Sequence, residues 1–278
     1  MAICSLSCLD GYTQNLQQTF ELAESYLAFK QFEAAAETYE RLLFFDQEGK
    51  YRNACLEQLG DSYVGMGAYK LALKNYNFAY FQAEEEVVQQ RLTFKLIQAY
   101  LLNNDPNSAQ EELFQMEGTV LPDNQAAFLL YSGVAAFARE DFENAQQYFH
   151  QYLSQSPPEV HEALDALFVK NEKVSRISSK KARTLSTIFP GLGQFYLGNV
   201  KSGLNSFLLT TGLIGLTVYA ITVLGPLDGF FLGLPWLVRY YQGGFKQAGR
   251  LAEDKKMRDR GEIYQAIMDL VISQYKGS

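Results

Sequence analysis

Apolar residues in the first half of the chain recur three and four positions apart, which is the spacing of one face of an α-helix. The pattern forms four segments, and each segment predicts two amphipathic helices joined by a short turn. Successive segments are offset by 36 or 37 residues. Because one such pair of helices cannot bury its apolar face alone, the repetition predicts a stack of pairs that share a core.

The four segments place the same kinds of residue at the same relative positions. Two small or apolar residues and usually an aromatic lie on the first helix, and an aromatic or Pro, an Ala and an aromatic or Leu follow on the second. The four sets are Leu22, Ala23, Tyr26, Phe32, Ala35, Tyr39 and Leu42; Leu59, Gly60, Tyr63, Tyr69, Ala72, Tyr76 and Ala79; Leu96, Ile97, Tyr100, Pro106, Ala109, Leu113 and Met116; Ser132, Gly133, Ala136, Phe142, Ala145, Phe149 and Tyr152. This order resembles the tetratricopeptide repeat, in which a Leu-Gly pair, a Tyr, an Ala and an aromatic hold these places.

The resemblance covers roughly residues 16–159 and implies an all-α fold, a solenoid of about four helix-turn-helix repeats. Residues 158–175 begin with Pro and acidic residues and keep helical spacing, so they predict a capping helix that closes the stack. With this helix, the repeat domain is expected to span residues 1–177.

The resemblance also implies a groove, lined by the first helix of each repeat, in which a protein or peptide segment binds. Some members of the family hold a terminal carboxylate there with Lys and Asn, whereas this chain has acids and Gln at the matching places. The charges therefore favour a basic or amphipathic segment as partner. The groove would carry Gln17, Phe20, Glu24, Glu57, Asp61, Arg91, Phe94, Gln98 and Leu130.

The chain changes character near Ser178, where a basic run gives way to a long apolar region. Between Arg183 and Asp228 the single charge is Lys201, and the uncharged stretch after it has the length and composition of a transmembrane helix. The next apolar stretch, residues 225–242, predicts either a short second span or a helix in the head-group region.

The segment PGLGQFYLGN, residues 190–199, resembles a motif of small bacterial and eukaryotic membrane domains built from two transmembrane helices. The resemblance implies a transmembrane helical hairpin, here residues 178–250. Its glycines allow tight turns and close helix approach, and its aromatic residues suit the membrane interface. The matching residues are Lys180, Lys181, Pro190, Gly191, Gly193, Phe195, Tyr196, Leu197, Gly198 and Gly203.

Residues 251–278 complete the chain and predict a C-terminal amphipathic helix. This helix is expected to pack on the repeats or to lie on the membrane, and its pattern leaves both open. Its apolar stripe consists of Ile263, Ile267, Leu270 and Val271.

Charge divides the chain at the same place as hydropathy. Residues 1–177 carry 25 acids and 12 bases, whereas residues 178–278 carry 6 acids and 12 bases. The acidic part argues against nucleic acid as a partner, and the basic part suits anionic membrane lipid. Bases flank both ends of the hydrophobic module, so the positive-inside rule predicts a membrane protein with cytoplasmic repeats. The expected location is a bacterial inner membrane. A leader ahead of Met1 would place the repeats outside instead.

No residue spacing predicts catalysis, a metal site or a cofactor. His150 and His161 match no metal or triad spacing, and Cys4, Cys8 and Cys55 do not complete a zinc site. The glycines of residues 190–199 lack the Lys-Ser/Thr of a phosphate-binding loop.

Three hypotheses for function follow. The first is a membrane-anchored scaffold or adaptor that mediates protein–protein interaction at the membrane. The alternative is a component of envelope assembly or transport in which the membrane module is the active part. The third, an enzyme with an intramembrane site, would place Asp228 or Arg239 at membrane depth.

Overall fold

The computed structural model describes residues 16–275, except the side chains of Asp228 and Tyr275, so Cys4 and Cys8 lie outside it. Over this range the chain forms thirteen α-helices and one short 3-10 turn, and no strand. It divides into two compact units, Met1–Ser154 and Gln155–Ser278. The predicted all-α class is confirmed.

The first unit consists of short helices that each pack on the next along the chain, and α1 also contacts α3, as α5 contacts α7. The 3-10 turn Pro122–Asn124 precedes α7. The helices are α1 (Leu16–Ala28), α2 (Phe32–Phe45), α3 (Arg52–Gly65), α4 (Tyr69–Gln82), α5 (Glu86–Leu102), α6 (Pro106–Met116), α7 (Gln125–Ala138) and α8 (Phe142–Tyr152).

Four turns in the first unit are built alike. Each has one residue with positive φ, namely Lys30, Gly67, Asn104 or Glu140, and these residues recur every 36 or 37 positions. The next residue's N–H then reaches back to the preceding helix, as from Gln31 to the Tyr26 carbonyl at 2.8 Å. This is a Schellman-type helix end, which satisfies carbonyls that the helix leaves without partners. The sequence period is therefore a period of the backbone.

The core of the first unit follows the same period. The Ala of each segment, at 35, 72, 109 and 145, is fully buried, and the aromatic or Leu that follows is at most 2% exposed. Close helix approach explains the small residues, because a Cβ on Gly60 would lie 2.3 Å from the Tyr76 ring. Gly133 meets the ring of Phe149 in the same way.

The second unit is organised around one long helix. It consists of α9 (Pro158–Ser175), α10 (Ser179–Ile188), α11 (Leu192–Tyr196), α12 (Val200–Leu224) and α13 (Pro226–Tyr275). Helix α13 packs against α9, α10 and α12. Because Gly229 faces Ile221 and Gly244 faces Ser206, α12 and the first half of α13 run antiparallel.

Two boundaries differ from the predicted ones. The division between units falls after Ser154, not after residue 177, because α9 packs on α13 through a face that buries Leu164, Phe168 and Val174. The tail is not a separate helix beginning at residue 251. It continues from the second apolar stretch through Pro235, and its buried stripe, Ile263, Ile267 and Val271, belongs to the helix that packs on α9.

Candidate functional site

The predicted groove contains an ion-pair cluster that joins α3 to α5. Arg91 holds Glu57 with two hydrogen bonds, Nε to Oε1 at 3.1 Å and Nη2 to Oε2 at 2.8 Å. One turn further along both helices, the Lys95 ammonium lies 2.6 Å from Oδ2 of Asp61. It also lies 2.9 Å from Oε1 of Glu57, so one lysine links two carboxylates.

Lys95 was not among the predicted groove residues, although it lies at the centre of this cluster. The same Asp61 carboxylate accepts a hydrogen bond of 2.7 Å from the Tyr76 hydroxyl, and Lys95 lies 5.7 Å from the centre of the Tyr76 ring. A pattern in the sequence could have indicated this ion-pair cluster. The acids are four residues apart on α3, the bases are four apart on α5, and each base follows its acid by 34 positions.

The cluster changes the expected chemistry of the groove. Burial alone raises the pKa of the Glu57 carboxyl, but hydrogen bonds and charge from Arg91 and Lys95 outweigh burial and leave that pKa below its ordinary value. Glu57 and Asp61 were expected to attract a basic segment. Both are neutralised within the fold, so a basic partner would have to displace Arg91 and Lys95 to reach them.

The other predicted groove residues divide between surface and core. Gln17 pairs with Glu21 on its own helix at 3.0 Å, and Glu24 and Gln98 are exposed. Leu130 is half-buried. Phe20 and Phe94 support the packing: Phe20 lies against Tyr39 and Tyr51, and Phe94 stacks on Tyr131 with 5.8 Å between ring centres.

A cleft that the sequence did not indicate lies between α7, α8 and the turn before α7. It encloses about 540 Å³. Its polar lining consists mostly of carboxamides, which both donate and accept hydrogen bonds as a peptide backbone does. The lining residues are Glu117, Gly118, Val120, Gln125, Phe128, Leu129, Asn144, Gln147, Tyr148 and Gln151.

In the second unit, the glycines of residues 190–199 make turns and contacts that a side chain would block. Gly191 has φ +90°, and a Cβ there would lie 2.3 Å from the Gly203 carbonyl oxygen. A Cβ on Gly193 would lie 2.0 Å from the Ala182 carbonyl oxygen. Gly198 has φ +79° and forms the turn into α12. The tight turns and close approaches expected of these glycines are present.

Gln194, inside the same segment, is fully buried and was not predicted. Its Oε1 accepts a hydrogen bond of 2.8 Å from the Ser186 hydroxyl, and its Nε2 donates one of 3.0 Å to the Gly244 carbonyl. Ser186 in turn accepts one of 3.0 Å from the N–H of Gly193. One amide therefore ties α10, α11 and α13 together.

The remaining motif residues lie nearer the surface. Phe195 packs on Gly203, and Tyr196 lies under the Lys181 ammonium, 4.9 Å from its ring centre. Both aromatic side chains are 37% exposed. Pro190 is half-buried in the turn between α10 and α11.

Helix α12 presents its apolar side chains outward. Among the described residues it is the one helix long and apolar enough to cross a bilayer, and most of its large apolar side chains are exposed. The buried positions Gly203, Thr210 and Thr217 are small or short. On α13, Gly229 and Gly233 form the opposing contacts, so the two backbones approach closely.

Residues 16–275 contain no group of three or more His, Cys, Asp or Glu placed to hold a metal ion. Arg239 is exposed on α13, and the side chain of Asp228 lies outside the described part. No protein-family model matches the chain, and no curated protein is significantly similar to it.

Proposed function

We propose that this protein is a membrane-anchored scaffold. In this proposal, α12 and the first half of α13 form a transmembrane hairpin, and the first unit is a solenoid of the tetratricopeptide type that binds a protein segment. The outward-facing apolar surface of α12 carries the proposal, because a monomeric soluble protein rarely exposes so large a patch.

The dimensions and contacts of the hairpin support insertion. A helix of 25 residues is about 37 Å long, enough to cross a hydrocarbon core of about 30 Å. The contact between α12 and α13 uses Gly and Thr, which favour close packing where no hydrophobic force drives helices together. In water, outward side chains such as Leu216 and Phe231, 62% and 70% exposed, would have no partner.

The repeated turns and buried Ala positions of the first unit support the solenoid. The face formed by α1, α3, α5 and α7 is the proposed binding surface. Since Glu57 and Asp61 are already paired, the partner we propose is an amphipathic segment, with recognition by the exposed amides Gln17 and Gln98 and the aromatic edges of Phe20 and Phe94.

Site-specific photo-crosslinking in native membranes tests the binding surface. A photoreactive residue at Gln98 on α5 should give a discrete adduct that excess unlabelled full-length protein competes away and that Phe94→Ala weakens. The matched control is Lys70, exposed on α4 of the same unit. Identical adducts from both positions, or none from Gln98, would contradict the proposed groove.

A second candidate function is supported by the Gln194 network. A simple anchor needs no fully buried amide joining three helices, so the membrane module itself is the active part in this alternative, as in envelope assembly or transport. Replacing residues 178–250 by an unrelated transmembrane hairpin separates the two. A scaffold should keep its cellular function, whereas an active membrane module should lose it.

A further inference from the structure

A cavity of about 500 Å³ lies in the second unit, between the turn from α11 to α12 and the polar part of α13. Three cations line it, Lys201 at the start of α12 and Lys255 and Arg258 on α13, together with the carboxylate of Asp254. The rest of the lining is Leu197, Gly198, Asn199, Val200 and Leu251.

The cations of this cavity are only partly neutralised. Lys255 and Arg258 share the carboxylate of Asp259, at 3.4 Å and 3.0 Å, and Arg258 also lies 3.9 Å from Glu262. Lys201 forms no ion pair with any residue in the described range. Lys201 therefore supplies the unpaired positive charge for a ligand, and the first turn of α12 adds the positive end of a long helix dipole.

The backbone at the start of α12 also favours the binding of an anion. The Asn199 side chain caps the helix by accepting the Ser202 N–H at 3.1 Å, and the Asn199 carbonyl accepts the Gly203 N–H at 3.0 Å. Val200 and Lys201, whose N–H groups precede the first intrahelical bonds, both line the cavity. Amide N–H groups and cations at one site are the groups that bind phosphate in proteins.

The position of the cavity along the hairpin indicates where that phosphate comes from. It lies where α12 begins, so in the proposed membrane orientation it is at head-group depth. From residue 179 to residue 252 the single acid is Asp228, at the opposite end of the hairpin. Five further bases lie on α10, near its start, and near the middle of α13: Lys180, Lys181, Arg183, Lys246 and Arg250.

We propose that this cavity binds the phosphate of an anionic lipid head group, with Lys201, Lys255, Arg258 and the start of α12 as its ligands. The proposal rests on the proposed membrane anchoring and adds a lipid class to it. The volume is in the range of pockets that hold small ligands, and it exceeds what a bare phosphate fills.

The test uses the full-length protein reconstituted in phosphatidylcholine membranes. Electron spin resonance measures how much spin-labelled phosphatidylglycerol, compared with spin-labelled phosphatidylcholine, is immobilised at the protein. We expect a preference for phosphatidylglycerol that Lys201→Gln lowers by up to about fivefold. The triple change Lys201→Gln, Lys255→Gln and Arg258→Gln should bring the ratio to about one.

Two further variants should increase the preference for phosphatidylglycerol or leave it unchanged. Asp254→Asn removes a negative charge from the cavity lining, so it should increase the preference. Lys256→Gln is the matched control, because Lys256 neighbours Lys255 on α13 but does not line the cavity. A preference that survives the triple change would overturn the site and assign lipid selection to the surrounding bases.

Failure of the anchoring looks different from failure of the site. If no lipid of either kind is immobilised, the hairpin is not in the bilayer. If both lipids are immobilised equally by the unchanged protein, the anchoring stands and the site is wrong. Added inorganic phosphate, compared with chloride at equal ionic strength, identifies the source. Selective loss of the preference would mean that the cavity takes free phosphate.

Discussion

The core of the first unit and the contact between α12 and α13 differ in the side chains that they bury. In the first unit, Tyr39, Leu42 and Phe149 are fully buried. In the second, α12 and the start of α13 bury small residues and expose Leu, Ile and Phe. The first unit thus covers these side chains within its own fold, whereas the proposed function requires lipid to cover the exposed side chains of α12 and the start of α13. In the first unit small residues pack against large rings, as Gly60 does against Tyr76, whereas in the hairpin small residues face each other, as Gly233 faces Thr217.

The largest expected effect on stability comes from replacing a buried phenylalanine by alanine, compared with the same replacement of an exposed phenylalanine. Phe149→Ala should lower the free energy of unfolding of the first unit by about 3–5 kcal/mol, because it leaves a cavity beneath Gly133. Phe81→Ala, at a ring that is 80% exposed, should change it by less than about 0.5 kcal/mol. Hydrogen exchange of α7 and α8 in the full chain measures the first, and that of α4 measures the second.

A charge on an exposed apolar position separates the two units by environment. Leu216→Lys, near the middle of α12, should disfavour membrane integration by about 2.5–3.5 kcal/mol and shift protein into the alkali-extractable fraction. Phe81→Lys makes the same kind of change on the first unit, and we expect no shift. Equal extraction of both variants would mean that α12 does not meet lipid.

Each unit also has one buried amide that joins separate segments. Gln194→Leu would leave the Gly244 carbonyl and the Ser186 hydroxyl without their partner, so the second unit should lose about 1–3 kcal/mol. Gln90→Leu should lower the stability of the first unit by a similar amount, because Gln90 bonds the Thr119 carbonyl and the Leu121 N–H. The exposed Gln98→Leu serves as control. Denaturant unfolding monitored separately for each unit by hydrogen exchange gives the comparison.

The smallest expected effect is the pH dependence contributed by Glu57. Because its pKa is lowered in the fold, its stabilisation is present above its ordinary pKa of 4.5 and is lost as pH falls through the lower folded pKa. The difference in unfolding free energy between wild type and Glu57→Gln measures this contribution, which should not exceed about 1 kcal/mol.

Removing Arg91 and Lys95 should reverse the direction in which Glu57 makes stability change with pH. In a background of Arg91→Met and Lys95→Met, burial alone acts on Glu57 and raises its pKa. The carboxylate then destabilises the unit at neutral pH, and stability recovers as pH falls toward 4.5. An unchanged pH profile in that background would show that the cluster does not set the Glu57 pKa.

Helical periodicity predicted the helices of the first unit because each of them packs mainly on its neighbours along the chain. The buried face of each helix then follows from the sequence alone, as the positions of Ala35 and Ala72 illustrate. The partner of a face does not follow from its period. The pattern of α9 predicts burial equally well against a repeat or against α13, and the continuous α13 depends on packing that carries the helix through Pro235.

The sites show the same division between local and long-range information. The glycines of residues 190–199 were predictable because Gly alone tolerates positive φ and close backbone contact. The burial of Gln194 was not predictable, because a polar residue in a glycine-rich segment is usually a surface residue. Its partner is the carbonyl of Gly244, fifty positions away in the sequence. Lys95 was missed for the related reason that its partners lie on another helix.

The chain carries one tryptophan, Trp236 on α13, and it reports directly on the proposed hairpin. It lies between the contacts of Gly233 with Thr217 and of Gly244 with Ser206, at the level of the middle of α12, and its side chain is 55% exposed. Its fluorescence in vesicles should be quenched by lipids brominated deep in their acyl chains and not by aqueous iodide. Quenching by iodide with no effect of brominated lipid would contradict the membrane hairpin, and with it the scaffold anchored there.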